Sequence, residues 1–455
     1  MRILDTSEGC PGGPCGRESL GEWLDRIGAT TVRLEWSDLH GLSRGKRLSV
    51  AHFLQLREEG FAFSSAALSM NPRGNVVTQL KAPQDLGWPN ILARPLPGSL
   101  RRLPTEPNTV QVLADLHHAD GRPVEESPRH VLRRVLSSTR SRGFEVCIGL
   151  ELEFYLFRDR ECVPPPAGKQ VYHLRQTPAE ARVLRAILDT MEALGIPAEA
   201  GFPEDAPGQL EVVLPPAPAL EVADAAFLVR NLAKEIASQQ GLFCTFLSKP
   251  LADESGSGLH IHQSLASLSS GLSAFYDGTQ EGGLSHLLRH YLAGQLAYLP
   301  QAFALYLPTI NAYKRALNRE HGGLAATWGF DNRTAALRVL GRSPGSLRLE
   351  NRVAGGEANP YLAIAACVAT GLAGIEADLE PPTPTTGNAY APVSDHQLLP
   401  TNLRHALDLL DGSRILREAL GEAAVDRFLA LKWDEVRRFE SSITDWERAE
   451  YLDLF

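Results

Sequence analysis

The sequence predicts an α+β protein built on antiparallel sheets. The chain has 455 residues, of which 44% are hydrophobic and 22% are charged, a composition typical of globular proteins with large cores. Strand-like segments follow one another across short turns, as in hairpins, and helices lie between these groups rather than after every strand. The length favours about two or three domains.

The first part of the chain is predicted to form a small domain that contains both helices and strands. Residues 1–15 are rich in glycine and proline, which indicates a flexible tail. Ser127 and Pro128 supply a capping residue and a proline at a first helical position, so the boundary is placed here and separates domains 16–125 and 126–455. The elements predicted before this boundary are a helix at Ser19–Ile27, strands at Thr30–Trp36, Asn75–Leu80 and Val110–Leu116, and a glycine-containing loop at Asp38–Lys46.

The second domain begins with the longest predicted strand, Phe144–Phe157. A capping box from Thr177 to Glu180 then predicts a helix that ends near Leu194. A loop rich in proline and threonine (381–400) precedes C-terminal helices. The other predicted elements are strands at Ile196–Phe202, Gln209–Leu214, Leu242–Leu247, Gly258–Leu265, Thr334–Val339 and Ser346–Asn351, and helices at Ala219–Gln240, Leu284–Leu299 and Pro360–Glu376.

Charge and hydropathy exclude several classes of protein. A net charge of −9 argues against sequence-independent nucleic-acid binding, which needs a basic surface. Residues 1–15 lack the apolar segment of a secretory signal, and the longest apolar run, Leu362–Ile375, is too short to span a bilayer. We therefore expect a cytoplasmic protein with no membrane or nucleic-acid partner.

The cysteines give no clear metal or disulfide pattern. Cys10 and Cys15 lie in the tail without a second pair to complete a zinc site, which favours free thiols over a metal site or a disulfide. The other cysteines lie in apolar runs or stand alone, and we expect them to be reduced.

Ionisable residues recur two apart in predicted strands with apolar neighbours. Glu151 and Glu153 form one such pair, and His260 and His262 form another after a glycine-rich approach. Residues i and i+2 of a strand share a face, so each pair is either a solvated face or a set of ligands. The strongly apolar flanks and the recurrence of the pattern favour ligands. Carboxylates with some imidazole suit Mg²⁺ or Mn²⁺ better than zinc.

Basic residues form a second group within about forty residues of sequence. Arginine inside an apolar strand is costly unless an anion meets it, so these residues either pair with nearby glutamates or bind phosphate and carboxylate groups of substrates. The second interpretation is favoured, and with the metal ligands it indicates an enzyme that handles ATP. The group consists of Lys314, Arg315, Arg333, Arg338, Arg348 and Arg352.

These segments resemble, in order, the motifs of the glutamine synthetase superfamily. The resemblance covers essentially the whole second domain and the Asp38–Lys46 loop. The matching segments are Gly149–Phe154 (G-x-E-x-E-F), Glu204–Glu211 (E-x-G-P-G-Q-x-E), Gly256–His262 (G-S-G-x-H-x-H), Asn311–Arg315 (N-S-Y-K-R), Asn332–Arg338 (N-R-[ST]-x-x-[IL]-R), Arg348–Arg352 (R-x-E-x-R), Asn359–Leu362 and Trp446–Phe455.

The resemblance implies a small β-grasp-like N-terminal domain and a larger catalytic domain with a curved antiparallel sheet packed by helices. It also implies ATP as co-substrate, two or three Mg²⁺ or Mn²⁺ ions, and a homo-oligomer, namely a dodecamer. Carried over by position, one ion is held by Glu153, Glu204 and Glu211, and the other by Glu151, His260 and Glu350. The remaining roles are ATP binding for His262, Arg338 and Arg348, contact with the transferred phosphoryl group for Arg333, and glutamate binding for Gly256, Arg315 and Arg352.

Departures from the family pattern bear on the acceptor. Ammonia-using members carry an acidic residue in a loop whose nearest match here, Phe61–Ser65, has no carboxylate. They also carry a P-G-x-E-A-P flap, for which Ala316–Gly323 offers only Glu320 or His321 near the place of the catalytic glutamate. Holding and deprotonating ammonium calls for both an anionic pocket and a base. Ser255 stands where asparagine is usual, which bears on the acyl substrate.

The sequence therefore predicts an ATP-dependent ligase that joins the γ-carboxylate of glutamate to an organic amine through a γ-glutamyl phosphate. One alternative is glutamine synthesis from ammonia with a variant ammonium pocket. Another is a non-catalytic relative with a structural or regulatory role, against which the intact ligand positions count. Tyr390 lies where some members carry an adenylylated tyrosine, but its sequence context differs and no such regulation is predicted.

Overall fold

The computed structural model describes residues 18–77, 87–164, 168–173, 178–317, 325–390 and 398–455. Among these residues, no helix combines the length and the apolar character needed to cross a bilayer. The described strands form two sheets, one from each part of the chain. The predicted tail, residues 1–15, lies outside the described residues, as do Cys10 and Cys15.

The first sheet contains six strands, in the order β2-β1-β6-β4-β3 with β5 beside β6. Strands β1 and β6 run parallel and the other neighbours are antiparallel. Its core is formed by side chains such as Trp36, Phe53 and Val112, which are at most 2% exposed. The strands are β1 (Thr31–Ser37), β2 (Ser43–Ser49), β3 (Phe61–Ser64), β4 (Asn90–Pro95), β5 (Arg101–Arg102) and β6 (Thr109–His117).

The segment predicted as a loop, Asp38–Lys46, is only partly a loop. Asp38 closes a short turn by accepting hydrogen bonds from the backbone N–H groups of His40 and Leu42, both at 2.9 Å. The chain then enters β2, which the sequence analysis missed because this edge strand is polar and mostly exposed and so lacks apolar alternation. In the predicted strand Asn75–Leu80, residues 75–77 follow a turn and contain one isolated antiparallel bridge, from Val76 to Met70, and residues 78–80 lie outside the described range.

The second sheet contains eight strands, in the order β12-β13-β14-β11-β7-β9-β8 with β10 also beside β7. All neighbours are antiparallel except the pair β12 and β13. These sheets, packed by helices, confirm the predicted α+β class. The strands are β7 (Phe144–Phe157), β8 (Ala200–Pro203), β9 (Gln209–Pro218), β10 (Phe243–Thr245), β11 (Leu259–Ser267), β12 (Trp328–Phe330), β13 (Leu337–Leu340) and β14 (Arg348–Asn351).

Two predicted strands begin at least three residues later than expected. The strand predicted from Ile196 begins at Ala200. The strand predicted from Thr334 begins at Leu337, because the Asn332 side chain accepts hydrogen bonds from the N–H and hydroxyl groups of Thr334 and holds the preceding residues in a turn.

Helices cover the apolar side of the second sheet, and the most buried of them is α8. The close crossing of α6 and α8 depends on glycine, since a Cβ at Gly294 would lie 2.6 Å from the Cα of Gly374. The helices are α1 (Leu20–Arg26), α2 (Val50–Leu56), α3 (Pro128–Ser141), α4 (Pro178–Ala193), α5 (Ala219–Gln239), α6 (His286–Tyr306), α7 (Ala312–Leu317), α8 (Pro360–Glu376), α9 (Leu403–Asp411), α10 (Arg414–Leu420), α11 (Glu422–Glu440) and α12 (Asp445–Tyr451).

Buried polar contacts fix the first sheet against the second part of the chain. Asn359, the N-cap of α8, donates from its side chain to the carbonyl of Asp38 at 2.9 Å. On the other side of the turn, the Lys432 ammonium of α11 contacts Nδ1 of His40 at 3.2 Å, and Nε2 of His40 contacts the carbonyl of Met70 at 3.1 Å. Burial and the adjacent Lys432 charge hold the pKa of His40 well below its usual value, so this junction is built with a neutral imidazole.

Candidate active site

One face of the second sheet carries the ionisable residues of four neighbouring strands, and we call it the polar face. In the strand register, Glu211 of β9 lies opposite Glu153 of β7, and His260 of β11 lies opposite Glu151 of β7. Further along, Glu350 of β14 lies opposite His262 of β11. Since opposite residues of antiparallel strands share a face, the pairing brings together carboxylates and imidazoles that are far apart in sequence.

Glu151 lies at the centre of the polar face and contacts both histidines. Its Oε2 accepts from Nδ1 of His260 at 2.7 Å, and its Oε1 accepts from Nε2 of His262 at 2.9 Å. Burial alone would raise the pKa of Glu151, but the hydrogen bonds from His260 and His262 outweigh it and lower the pKa. Glu151 is therefore an anion at neutral pH and is available as a ligand.

Glu151, His262 and Glu350 each place one possible ligand atom within 4.8 Å of those of the other two residues. The sequence analysis placed His260, not His262, with these two carboxylates. Nδ1 of His260 lies 3.8 Å from Oε1 of Glu350, so both histidines border the same space. The His262 ring also accepts from Nε of Arg348 at 3.2 Å through Nδ1, which leaves Nε2 protonated toward Glu151.

Glu153, Glu204 and Glu211 form an acidic cage beside this group. Glu153 is only 2% exposed and accepts from the backbone N–H of Gly258 at 2.7 Å. Burial first, and then the charge of Glu153, raise the pKa of Glu204 to about 7. Burial and the charges of Glu151, Glu153 and Glu204 raise the pKa of Glu211 to about 10.

A divalent cation would relieve the repulsion among these buried carboxylates. Three carboxylates with an imidazole at their border form an oxygen-rich donor set that fits Mg²⁺ or Mn²⁺. His260 supplies this border, since its Nε2 lies 3.6 Å from Oε1 of Glu153 while its Nδ1 contacts Glu151. The cage and the Glu151 group thus meet at one histidine.

Glu350 is fully buried but remains charged because arginines surround it. Burial would raise its pKa, whereas the positive charge of Arg352 and the neighbouring histidines lower it. Arg352 pairs with Glu350 and donates from Nε to the Arg333 carbonyl at 3.1 Å. Arg338 pairs with Glu350 at 3.2 Å and also with Asp331. Part of the arginine group therefore pairs with glutamate, as the alternative interpretation held.

A cavity of about 400 Å³ opens next to Glu151 and His262. Arg348 lies at its wall and is fixed by donation from Nη1 to the Ser346 carbonyl at 3.1 Å. The lining also includes Glu199 and the segment Pro344–Leu347. A cavity of this size with a cation at one end suits a phosphorylated ligand larger than phosphate itself.

Arg315 and Gly256 form the opposite wall of the cage. Arg315 is 1% exposed and donates to the carbonyls of Val353 at 3.1 Å and Arg352 at 3.4 Å. A Cβ at Gly256 would lie 2.5 Å from the Ser248 carbonyl oxygen and 2.8 Å from Cγ of Arg315. Gly256 therefore permits the close approach of the glycine-rich segment to the arginine.

Arg333 lies in an exposed turn at the rim of the polar face. Asp331 begins this turn with a φ of 48°, a left-handed conformation that aspartate tolerates better than most residues. Asn332 holds it by donating to the carbonyls of Thr385 at 3.1 Å and Gly387 at 2.9 Å. The other two predicted catalytic residues, Glu320 and His321, lie outside the described residues.

Gln209 and Asp205 are polar residues of the site to which the sequence analysis gave no role. The Gln209 amide donates to the Gly256 carbonyl at 3.1 Å and to Glu153 at 3.5 Å, and so joins the glycine-rich segment to the cage. Asp205 accepts from the Ser255 hydroxyl, and Tyr155 donates to the Ser255 carbonyl. Gln209 could have been found from its fixed place in the Glu204–Glu211 motif, whereas nothing in the sequence marks Asp205.

Comparison with known proteins gives consistent matches over nearly the whole chain. The γ-glutamylethanolamide synthetase of Streptomyces coelicolor is 37% identical over 446 residues, which are 95% of this chain and 95% of that protein. The glutamate–isopropylamine ligase of a Pseudomonas species is 33% identical, over 95% of this chain and 97% of that protein. The γ-glutamylputrescine synthetase of Escherichia coli is 34% identical, over 94% and 93%.

The structural comparison agrees with the sequence matches. The solved structure of GmaS without ligand superimposes with a TM-score of 0.84 and 32% identity, and the match covers 96% of this chain and 99% of that chain. Residues 125–451 match the glutamine synthetase catalytic domain, and this range contains every residue of the polar face. The chain therefore belongs to the glutamine synthetase family.

Proposed function

We propose that this protein is an ATP-dependent ligase that joins the γ-carboxylate of glutamate to an organic amine. Membership of the family implies the use of ATP and a divalent metal ion. The observation that supports the proposal most strongly is the polar face itself, where carboxylates, imidazoles and arginines from β7, β9, β11 and β14 converge. Arg338 of the adjoining strand β13 pairs with Glu350 of this face. The names of the relatives add that ethanolamine, isopropylamine and putrescine are acceptors among similar proteins.

Two metal positions are part of the proposal, with Mg²⁺ or Mn²⁺ as the ions. The acidic cage of Glu153, Glu204 and Glu211 would hold one ion. Glu151 and Glu350 with His260 would hold the other, and the grouping of His262 with the same carboxylates makes it a further candidate ligand. A third ion is compatible with the number of carboxylates. When bound, these ions would neutralise phosphate charge and polarise the reacting oxygens.

The arginines and the cavity suit the substrates. His262 and Arg348, which line the cavity beside Glu151, would bind ATP there. Arg338, which pairs with Glu350 beside this cavity, would also contact ATP. Arg315 and Arg352, with the close approach that Gly256 permits, would bind glutamate and orient its γ-carboxylate. Both arginines are preorganised by contacts to backbone or to Glu350, so little ordering is left for the bound state.

The reaction we propose has two steps. An oxygen of the γ-carboxylate attacks the γ-phosphorus of ATP, and ADP leaves with the bridging oxygen, while Arg333 stabilises the charge of the transferred phosphoryl group. The amine nitrogen then attacks the carbonyl carbon of the acyl phosphate, and phosphate leaves. Glu320 or His321 would accept the proton that the amine loses.

An organic amine fits the acceptor position better than ammonia does. Holding and deprotonating NH₄⁺ requires acidic residues, and the segment Phe61–Ser65 offers serines and aromatic rings instead. The ring centre of Phe63 lies 4.6 Å from the Lys46 ammonium, so the charged side chain that meets this segment is not a carboxylate. Glutamine synthesis from ammonia is the second candidate, because glutamine synthetases such as that of Thermus thermophilus are also similar, at 31% identity. A non-catalytic role is the third.

We further propose two domains, 16–125 and 126–455, in a cytoplasmic homo-oligomer arranged as a dodecamer. A separate hydrophobic cluster that lies wholly within the first part of the chain supports the division, although the larger cluster also includes Leu39, Val77, Leu103 and Leu113. An exposed apolar C-terminus supports association with further copies of the chain, since a monomer rarely leaves such side chains in water. Its residues are Ile443, Trp446, Leu452, Leu454 and Phe455, each at least 63% exposed.

Kinetics with a panel of acceptors test the function. Purified protein with ATP, Mg²⁺ and glutamate would be assayed for phosphate release and for the γ-glutamyl product with ethanolamine, isopropylamine, putrescine, spermidine and ammonium. We expect kcat/KM for the best amine to exceed that for ammonia at least about tenfold, or roughly 1.4 kcal/mol of transition-state binding. Ammonia as the best acceptor would instead establish glutamine synthesis, and no turnover with any acceptor would favour a non-catalytic protein.

A further inference from the structure

A second cluster of metal-ligating side chains lies outside the proposed active site. It consists of His286, His290 and Glu380, and we call it the histidine clamp. One ligand atom of each residue lies within 4.8 Å of the other two. His286 and His290 are four residues apart at the start of α6, so their rings stand on the same face of the helix, with centroids 6.4 Å apart. Glu380 follows α8 and approaches from the other side.

We propose that the histidine clamp is a Zn²⁺ site that ties the start of α6 to the end of α8. Two imidazole nitrogens and one carboxylate oxygen are the ligands of many three-residue zinc sites, with water in the fourth position. Such a donor set favours zinc over Mg²⁺, which prefers oxygen ligands and an octahedral shell. Nothing in the ligase reaction requires this site, and the proposal does not depend on the substrate.

Hydrogen bonds already orient the clamp in the manner of a metal site. Nδ1 of His290 donates to the backbone carbonyl of Leu379 at 2.7 Å and lies 3.7 Å from Oε1 of Glu380. This hydrogen bond leaves the lone pair on Nε2, so zinc would bind Nε2 and the Glu380 carboxylate would turn from Nδ1 to meet it. Arg289 donates from Nε and Nη2 to Oε2 of Glu380, at 2.9 and 2.7 Å, and leaves Oε1 for a ligand. Asp277 interacts electrostatically with His286 and adds negative charge beside the site, which offsets the positive charge of Arg289.

Small side-chain rotations would complete the site. In tetrahedral zinc with bonds of 2.0–2.1 Å, ligand atoms lie about 3.3 Å apart. The present spacing of up to 4.8 Å would close by rotation of the exposed His286 and Glu380 side chains. The tether would act on the segment after Glu380, where the Pro382 carbonyl accepts from Nε1 of Trp328 at 2.7 Å. Zinc would thus stabilise the packing of residues 381–387 against the turn that contains Arg333.

The test compares zinc binding by the wild type and by clamp variants. Metal-stripped protein would be equilibrated with excess Mg²⁺ and ADP to occupy the polar face, and zinc chloride would then be titrated with a colorimetric chelator as competitor. His286→Ala should lose one zinc equivalent per chain or bind it at least about tenfold more weakly. His405→Ala is the matched control, because His405 is also an exposed histidine in the first turn of a helix.

Thermal unfolding supplies a readout that does not depend on stoichiometry. Zinc should raise Tm of the wild type and of His405→Ala, and should leave that of His286→Ala and Glu380→Gln unchanged. Binding of Mg²⁺ and ADP by each variant would show that its fold is intact. Equal zinc stoichiometry and equal Tm shifts in wild type and both clamp variants would overturn the proposal.

Discussion

Replacing Glu211 by glutamine should stabilise the metal-free protein while destroying its activity. Glu211 is 4% exposed and its pKa is raised to about 10 by burial and by the charges of Glu151, Glu153 and Glu204. In the unfolded chain the same carboxyl ionises near 4.5. Above this pH the unfolded state gains stability by releasing a proton that the folded state retains, so metal-free folding weakens as pH rises toward 10.

The size of this loss of stability follows from the interval between the pKa of Glu211 in the unfolded chain and the pH of the experiment. The pKa of 4.5 in the unfolded chain lies about 3.5 pH units below pH 8, and each pH unit is worth about 1.4 kcal/mol. At pH 8 the Glu211 carboxyl therefore lowers the stability of the metal-free fold by about 5 kcal/mol relative to a neutral side chain of the same shape. At pH 5 the same cost is below about 1 kcal/mol. Glutamine is neutral at every pH and should recover most of this difference at pH 8 and little of it at pH 5.

Thermal unfolding in EDTA at pH 5 and pH 8 measures the effect. We expect Tm of Glu211→Gln to exceed that of the wild type by several degrees at pH 8 and to be nearly equal at pH 5. Glu350→Gln is the matched control on the same face, because the positive charge of Arg352 lowers the pKa of Glu350. Its neutralisation leaves a buried arginine without its partner and should lower Tm at pH 8. If Glu211→Gln lowered Tm at pH 8, as the control does, the electrostatic account of the cage would be refuted.

Further predictions concern the arginines and the glycine-rich segment. Arg333→Lys should lower kcat at least tenfold with little change in ATP affinity, and Arg352→Lys should mainly raise KM for glutamate. The reason is that the single ammonium of lysine cannot replace the paired N–H donors of a planar guanidinium. Changes confined to KM for ATP would contradict both roles. Gly256→Ala should displace Arg315 and reduce kcat/KM for glutamate at least tenfold, whereas Gly98→Ala, whose added Cβ meets no atom within 4 Å, should behave as the wild type. Equal kinetics of the two alanine variants would show that the close contact at Gly256 is not needed.

The sequence predicted the elements with the strongest apolar character most accurately. The bounds of β7 and α8 agree with the prediction, because both are long and nearly continuous apolar segments. It missed the strands β2, β3, β4, β5 and β12 and the helices α2 and α7. Strand β2 is exposed and polar, and β3 has only four residues, so neither carries enough periodicity to stand out from a loop.

The residues of the site were predictable from their spacing, but their contacts were not. The i, i+2 pairs placed Glu151 and His260 on one face of their strands, and the resemblance supplied roles that stay predictions. The order of β9, β7, β11 and β14 in the sheet decides which residues meet, and no local pattern encodes that order. For the same reason, the contact of His262 with Glu151 and the ion pairs of Glu350 could not be predicted from the sequence.

The central position of β7 has a consequence for how the enzyme acquires activity as it folds. Its Glu151 meets His260 across a sequence separation of 109 residues, and Glu350 on β14 comes later still in the chain. Contacts this distant require closure of long loops, which slows folding relative to the formation of local helices. During synthesis β7 therefore keeps one apolar edge unpaired until β11 has emerged from the ribosome, and β14 completes the set later by pairing with β11. In refolding experiments we expect helical circular dichroism to return before ATP turnover, because turnover requires the last strand of the set to dock.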